Sequence, residues 1–510
     1  MIKLSVKVKI PFLWGKATFQ KSSWNQINLI VGPNGSGKTL LAEQIARQFK
    51  RSGYKVETLS SERSNQNELL KKLKTDSNLC QKIETVISRM FGKTIKFKQA
   101  AKGEVIPVVV NKMRNIEYGL LDGECHGLKE ILTLLVALYG QKSRVLIVDE
   151  PELHLHPQFQ LFFMNEIRKI AKNDSKRIFF LITHSPYFID LRFASDILGV
   201  IVCHVNRLPT CINSLTEKTE MLLRRFLPRF NTYHKQFFFS DNQIFVEGYT
   251  DQQMFTILLE SMEGFEGVAG TSVIDVGGKD ELGVFFKVCS LLGTDARIIT
   301  DMDSLFAGKL RDVVCEDERP ELWLLKQYEK QLPFYRSLFA KKEACKQVTL
   351  EKLILRLESY LTEIGKNVVK IDFSINSEVD IFVQKLKSLY EKYEKPENLD
   401  TFKTVTLMGV LNLERKVQDI LPIPLARTIP NIINLSRLIF AAFETARVYI
   451  LPCGCIEHFY TQSKVEYMPV SAKDRLFHTE YESMVLMSQK DLRKHYPALI
   501  SILTRACSTT

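Results

Sequence analysis

Residues 242–255 read NQIFVEGYTDQQMF, and they end an apolar run on an acid. Ile244, Phe245 and Val246 stop at Glu247, Gly248 follows, and Asp251 stands where a helical pattern begins. The chain then returns to the same device. SVIDVGG (272–278) closes a second apolar run on Gly277 and Gly278, and ARIITDMD (296–303) closes a third on Asp301, with Asp303 two residues on. Strands alternating with helices predict a parallel α/β sheet, and such sheets place their sites at the C-terminal ends of the strands. Glu247, Asp251, Asp301 and Asp303 would share that edge. Four carboxylates cannot all stay ionised at close range without cations. Ligands that are all oxygen select hard divalent ions, Mg2+ or Mn2+. One or two such ions beside a basic surface can cut or join phosphodiesters. Taken singly the acids have plainer uses: Glu247 or Asp303 can cap a helix. Their recurrence at successive strand ends favours metal.

A second constellation lies near the start. The apolar strand Ile27–Val31 runs into Gly32, Pro33, Asn34, Gly35, Ser36, Gly37, Lys38 and Thr39, and a helical pattern follows at once. This is G-x-x-x-x-G-K-[ST] between strand and helix. Backbone N–H groups at Gly32, Asn34, Gly35 and Gly37 can close around phosphate oxygens, helped by the helix N-terminus. Lys38 would reach the outer phosphates of ATP and Thr39 would ligate its Mg2+. RVLIVDEPELHLHP (144–157) ends another buried strand on Asp149 and Glu150. Asp149 suits the Mg2+ shell, and Glu150 suits polarising an attacking water. RIFFLITHSP (177–186) delivers His184, which can bond to a γ-phosphate. His154 and His156 lack a third metal ligand and read as loop and packing residues. Trp14 fits either an adenine stack or the core.

The chain that must position these residues has 510 of them, 45% hydrophobic and 25% charged, which is ordinary globular composition with room for two to four domains. The net charge of +12 points to an anionic partner, nucleic acid first, or to a generally basic surface. Ten cysteines form no framework and read as reduced thiols. MIKLSVKVKI alternates as a strand rather than as a signal peptide. No apolar run reaches about 18 residues, so no membrane span or membrane partner is expected, and the expected location is cytoplasmic. Expected divisions are an ATPase domain over 1–205, a linker over 206–240, and a metal-bearing domain over 241–510. Residues 315–440 are helical and charged, either an insertion in the second sheet or a separate helical domain.

The first constellation resembles the ABC-type ATPases of the RecF, SMC and OLD (overcoming lysogenisation defect) families, mapping Walker A onto Lys38 and Thr39, Walker B onto Asp149 and Glu150, and the switch histidine onto His184. DEPELHLHP (149–157) is especially similar to the OLD branch. The resemblance implies that two heads sandwich ATP, hence a homodimer or higher oligomer. The family's Ser-Gly signature is met by Asp122-Gly123, and a carboxylate facing a triphosphate leaves ATP binding without turnover open. The second constellation resembles a Toprim domain: VEGYTD (246–251), DVGG (275–278) and DMD (301–303). In OLD-type Toprim domains a later strand leads to a G-x-x-E-like element. RVYILPCGCIEHFYTQ (447–462) is similar to it, which makes Glu457 a fifth metal ligand. Lys473, after that element, can stabilise charge on a scissile phosphate, although a surface lysine is the plainer reading.

The expected fold is therefore α/β: an ABC-type P-loop ATPase head followed by a Toprim nuclease domain with a helical insertion. The expected function is that of an OLD-family, ATP-regulated, divalent-metal-dependent DNA endonuclease or nickase, with Glu247, Asp301, Asp303, Lys473 and Glu150 as its catalytic groups. By resemblance its setting is anti-phage defence, alone or with a reverse transcriptase and its reverse-transcribed DNA, as in retrons, or with a helicase, as in Gabija-like systems. Two rival readings are a non-cleaving ATP-dependent clamp on DNA or a partner, with a structural metal, and a primase or topoisomerase.

Overall fold

The computed structural model describes the chain apart from residues 1, 62–72, 74, 92–93, 100–104, 112–115, 121–125, 141–142, 206, 241, 266, 295, 331–348, 372–377, 394, 396–397, 419, 464, 466–469, 471 and 509–510. Two compact units divide it, Met1–Asp241 and Asn242–Thr510. The signature-loop pair, Asp122 and Gly123, lies outside the described residues.

The first unit opens with an antiparallel pair, β1 (Ile2–Val8) and β2 (Phe19–Trp24). Its main sheet draws on β3 (Ile27–Val31), β4 (Val56–Leu59), β8 (Val145–Asp149), β9 (Ile178–Ile182), β10 (Val200–His204) and β11 (Arg207–Cys211), in the order β11-β10-β3-β9-β8-β4. Neighbours are parallel except β10 and β11. A small antiparallel sheet, β5 (Thr94–Gln99), β6 (Val105–Asn111) and β7 (Ile116–Gly119), completes the strands described in this unit. The central strands INLIV, VLIVD and IFFLI are almost wholly apolar, and nearly every residue in them is buried, as expected of parallel strands covered on both faces. Trp24, Phe49 and Phe180 meet edge to face at 5.4–5.6 Å between ring centroids. Each such ring, fully buried, contributes about 2 kcal/mol. Trp14 is buried in this same cluster, a core position. The stretch expected to link the halves carries β11 and the helix Glu217–Phe226, whose N-cap Thr216 accepts from the Thr219 N–H.

The second unit is built on one parallel sheet, β13-β12-β14-β15, from β12 (Asn242–Val246), β13 (Thr271–Asp275), β14 (Ala296–Thr300) and β15 (Val448–Ile450). The helices Leu310–Cys315, Glu318–Glu329, Leu350–Val368, Glu378–Tyr393, Leu399–Leu411 and Ile423–Thr445 fall between β14 and β15. Because those two strands are hydrogen-bonded neighbours, the helical segment is an excursion from a single sheet. Pro430 inside Ile423–Thr445 costs that helix one backbone donor. With all four strands parallel, their C-terminal ends meet along one edge. No helix among the described residues is long and apolar enough to cross a membrane.

Candidate metal centre and nucleotide loop

β12 ends at Val246, so Glu247 leaves the sheet at its C-terminal edge, and β14 delivers Asp301 one strand away. Asp303 sits in the tight turn Met302–Leu305 that follows. Glu247, Asp301 and Asp303 each offer an oxygen, all within 4.8 Å of one another. Glu247 is fixed by donors from the end of β14 and the turn after it: its Oε1 accepts from the Thr300 hydroxyl at 2.7 Å, the Asp301 N–H at 3.1 Å and the Ser304 hydroxyl at 3.4 Å. Asp251 begins the helix Tyr249–Glu260, where its Oδ2 accepts from the Gly248 N–H at 3.2 Å. It caps its own helix and also lines the cleft.

That cleft, about 340 Å3, is lined by Glu247, Asp251, Gly277, Gly278, Asp301, Glu457 and Lys473 among others. Glu457 arrives from β15 through the turn Ile456–Phe459. Its Oε1 pairs with Lys473 Nζ at 2.7 Å, so Lys473 is anchored to an acid of the cluster. Residues from five segments therefore share one site. Gly277 (φ 77°) and Gly278 (φ 130°) make the turn between β13 and the next helix in backbone conformations that a side chain would resist.

The electrostatics follow from burial. Asp301 is held far above the usual carboxylate range by desolvation and then by the charges of Glu247, Asp251, Asp303 and Glu457. Asp251 is pushed up to about 7 by burial, with Glu247 and Glu457 adding to it. Glu247 is raised by burial and by Asp303. Burial also acts to raise Glu457, but the neighbouring Cys455 thiol and Lys473 outweigh that and keep it low. One oxygen of Asp303 (Oδ1) and one of Glu457 (Oε2) are buried with no hydrogen-bond partner. Buried acceptors left unsatisfied at both ends of an all-oxygen cluster fit divalent cations, which would satisfy them.

Three participants were not legible in the sequence as site residues: Thr300, Ser304 and Lys279. Lys279 directly follows the two glycines, and its Nζ meets Asp303 Oδ2 at 2.7 Å. Its place next to a turn glycine pair was the available signal.

In the first unit the loop between β3 and the helix Lys38–Arg51 forms the expected cradle. Gly32 has φ 144°, and a Cβ there would lie 2.2 Å from the Cys203 carbonyl oxygen, so only glycine fits. Gly35 and Gly37 also have positive φ, 76° and 82°. Lys38 Nζ donates to the carbonyls of Gly32 and Pro33 at 3.0 and 2.7 Å, folding over the loop. Thr39 Oγ1 donates to Asp149 Oδ2 at 3.0 Å, which brings the two expected Mg2+ ligands together. Asn34 belongs to this loop. Glu150 stands just beyond β8 at φ 48°, strained for a residue with a side chain, and its N–H donates to the Ile182 carbonyl at 2.8 Å. His184 follows β9, its pKa lowered by burial and then by Lys38, so it is neutral near pH 7. Glu152, which the sequence reading passed over, accepts from the His184 N–H at 2.6 Å and the Thr183 hydroxyl at 2.8 Å. His156 caps the helix Pro157–Asn173.

Comparison with known proteins agrees with both halves. Residues 238–303 match the "Overcoming lysogenization defect protein-like, TOPRIM domain" model, and residues 124–190 match the model described as "AAA domain, putative AbiEii toxin, Type IV TA system". Glu247, Asp251, Asp301 and Asp303 fall inside the first match, and Asp149, Glu150 and His184 inside the second; Lys38, Glu457 and Lys473 lie outside both. The chain is 28% identical over 168 residues to an OLD nuclease of Thermus scotoductus, covering 32% of each chain. It is 24% identical over 187 residues to endonuclease GajA of Bacillus cereus, covering 32% of this chain and 27% of that one. An uncharacterized protein of Methanocaldococcus jannaschii is 39% identical over 64 residues, 12% of this chain and 8% of its own length. The matches thus span about a third or less of each curated relative. In content and order, a stretch matching an AAA-type ATPase model followed by one matching an OLD-like TOPRIM model, the chain is similar to the OLD nucleases.

Proposed function

We propose that this chain is an ATP-regulated, divalent-metal-dependent DNA endonuclease or nickase. The observation that carries the reading is the meeting of Glu247, Asp301 and Asp303, from two strand ends, with oxygens within 4.8 Å. Glu247, Asp301 and Asp303 would hold one cation. Asp251 and Glu457, which line the same cleft as Glu247 and Asp301, would help to hold a second. Mg2+ or Mn2+ bound there would supply an acidic water and a Lewis acid for the scissile phosphate. Glu247 is pre-oriented by Thr300 and Ser304, so it presents its remaining oxygen without reorganisation. Lys473 brings a positive charge to the same cleft, where it can face a phosphate oxygen. In the first unit Lys38, Thr39, Asp149 and His184 would bind ATP with Mg2+, and Glu150 would orient water.

By the same family resemblance, ATP sets the arrangement of paired ATPase heads in a homodimer or higher assembly and so gates cutting. The setting is anti-phage defence in the cytoplasm, either alone or with a reverse transcriptase and its DNA, or a helicase, as partner. The eight described cysteines are all free thiols, in keeping with a reducing compartment. The test is nicking of supercoiled plasmid by the full chain with Mg2+ or Mn2+, against Glu247→Ala. Metal-dependent nicks from the wild type alone are expected. No cleavage of any nucleic acid by the wild type, with tight DNA binding retained, would favour the clamp reading.

A further inference from the structure

Two lysines bracket the acidic cluster in the same way. At one end Lys473 Nζ takes Glu457 Oε1 at 2.7 Å, and Glu457 Oε2 is buried without a partner. At the other end Lys279 Nζ takes Asp303 Oδ2 at 2.7 Å, and Asp303 Oδ1 is buried without a partner. Each terminal carboxylate therefore has one oxygen clamped and one left over. Lys279 is well placed to be rigid. It is the first residue of the helix Lys279–Leu292, and the turn before it is tied to the strand end that carries Glu247, since the Gly278 N–H donates to the Glu247 carbonyl at 2.7 Å. The Lys279 side chain is only 33% exposed.

We infer that Lys279 is a positioning residue of the metal centre: by holding Asp303 Oδ2 it leaves Oδ1 as a single, fixed ligand for the cation position shared with Glu247 and Asp301. The inference rests on the metal-centre reading above. It gives the two positions separate clamps, Lys279 for the Asp303 side and Lys473 for the Glu457 side. It also reverses the simple electrostatic expectation. A lysine beside a cation repels it, so removing the charge alone should tighten metal binding. Loss of a clamp should loosen it, because residues that orient metal ligands typically contribute about 10- to 100-fold in affinity.

The test is a Mn2+ titration of the full chain, followed by electron paramagnetic resonance of free Mn2+, for wild type, Lys279→Met, Lys279→Arg and Lys473→Met. Thermal melting without metal confirms that each variant folds; Lys279→Gln replaces Lys279→Met if that one does not. To keep the ATP-side Mg2+ position out of the count, all four carry Lys38→Ala and no nucleotide is added. The expected result is that Lys279→Met weakens one bound Mn2+ by about tenfold or more and leaves the other in place. Lys279→Arg restores part of the loss, and Lys473→Met weakens the opposite position. Unchanged or tighter Mn2+ binding in Lys279→Met would overturn the inference while leaving the metal centre standing. A parent protein that binds no Mn2+ would overturn the metal-centre reading itself.

Discussion

The nucleotide loop and the acidic cluster occupy the same architectural position, the C-terminal edge of a parallel sheet, and present opposite charge there. In the first unit, eight consecutive residues from Gly32 to Thr39 supply backbone donors, a helix N-terminus and Lys38, a surface made for an anion. In the second, Glu247 with Asp251, Asp301 with Asp303, and Glu457 come from three separate segments and crowd carboxylates together, a surface made for cations. The difference in assembly has a consequence. A contiguous loop survives local changes outside it, whereas a site built from several strand ends depends on the whole sheet holding its register.

The comparison can be broken first at Glu247. Glu247→Gln keeps the shape and removes one charge from the cluster that holds both cation positions. Plasmid nicking is expected to fall by at least about 100-fold, with both Mn2+ positions weakened. A variant that still nicks would place the chemistry elsewhere. In the other unit, Lys38→Ala should weaken ATP binding on the order of 100-fold, measured by calorimetry, since a charge-assisted contact to phosphate is lost. Mn2+ binding at the acidic cluster should not change without nucleotide; if it does, the two sites are not separate.

Gly32→Ala probes the cradle itself. The added Cβ would stand 2.2 Å from the Cys203 carbonyl at a φ of 144°, so a stability loss of about 3 kcal/mol is expected in denaturant melts. An unperturbed midpoint would mean that the loop gives way easily.

The acidic cluster should also respond to pH in a way the loop does not. Asp251, at about 7, and the raised Asp301 must give up protons before a cation binds. Mn2+ affinity is therefore expected to rise as pH climbs towards 7, by about tenfold per unit for each proton released. The stability sign is fixed by the same shift. With its folded-state pKa raised, Asp251 supports the metal-free fold fully below the ordinary carboxylate value and loses that support as pH rises through about 7. The Tm gain on adding Mn2+ should then be larger at pH 8 than at pH 5.5, conditions roughly bracketing that titration. An equal gain at both would contradict the burial of the cluster. The smallest effect is expected from Thr300→Val, which removes one hydroxyl donated to Glu247 and should cost about 1 kcal/mol in stability.

How much of this was readable depended on which force placed each residue. Gly32–Thr39 was legible because backbone geometry demands those residue types in that order. Glu247, Asp301 and Asp303 were legible because an apolar strand that stops on an acid is unusual, and it recurs at two strand ends of one sheet, with Asp303 two residues beyond the second. Glu457 required resemblance, since β15 has only three residues and follows a long helical excursion. Lys279 and Glu152 were missed for a common reason. Each acts through a long-range hydrogen bond, Lys279 to Asp303 and Glu152 to the His184 backbone, and no local periodicity records a partner that distant. Whether 315–440 was an insertion or a separate domain also turned on pairing, because only the β14–β15 ladder shows that the helices leave and rejoin one sheet.

The most direct measurement is a crystal structure of the full chain grown with Mn2+, read by anomalous scattering. The account predicts a peak among Glu247, Asp301 and Asp303, with a second towards Asp251 and Glu457. A fully occupied Mn2+ elsewhere on the molecule and no anomalous density among those carboxylates would contradict it.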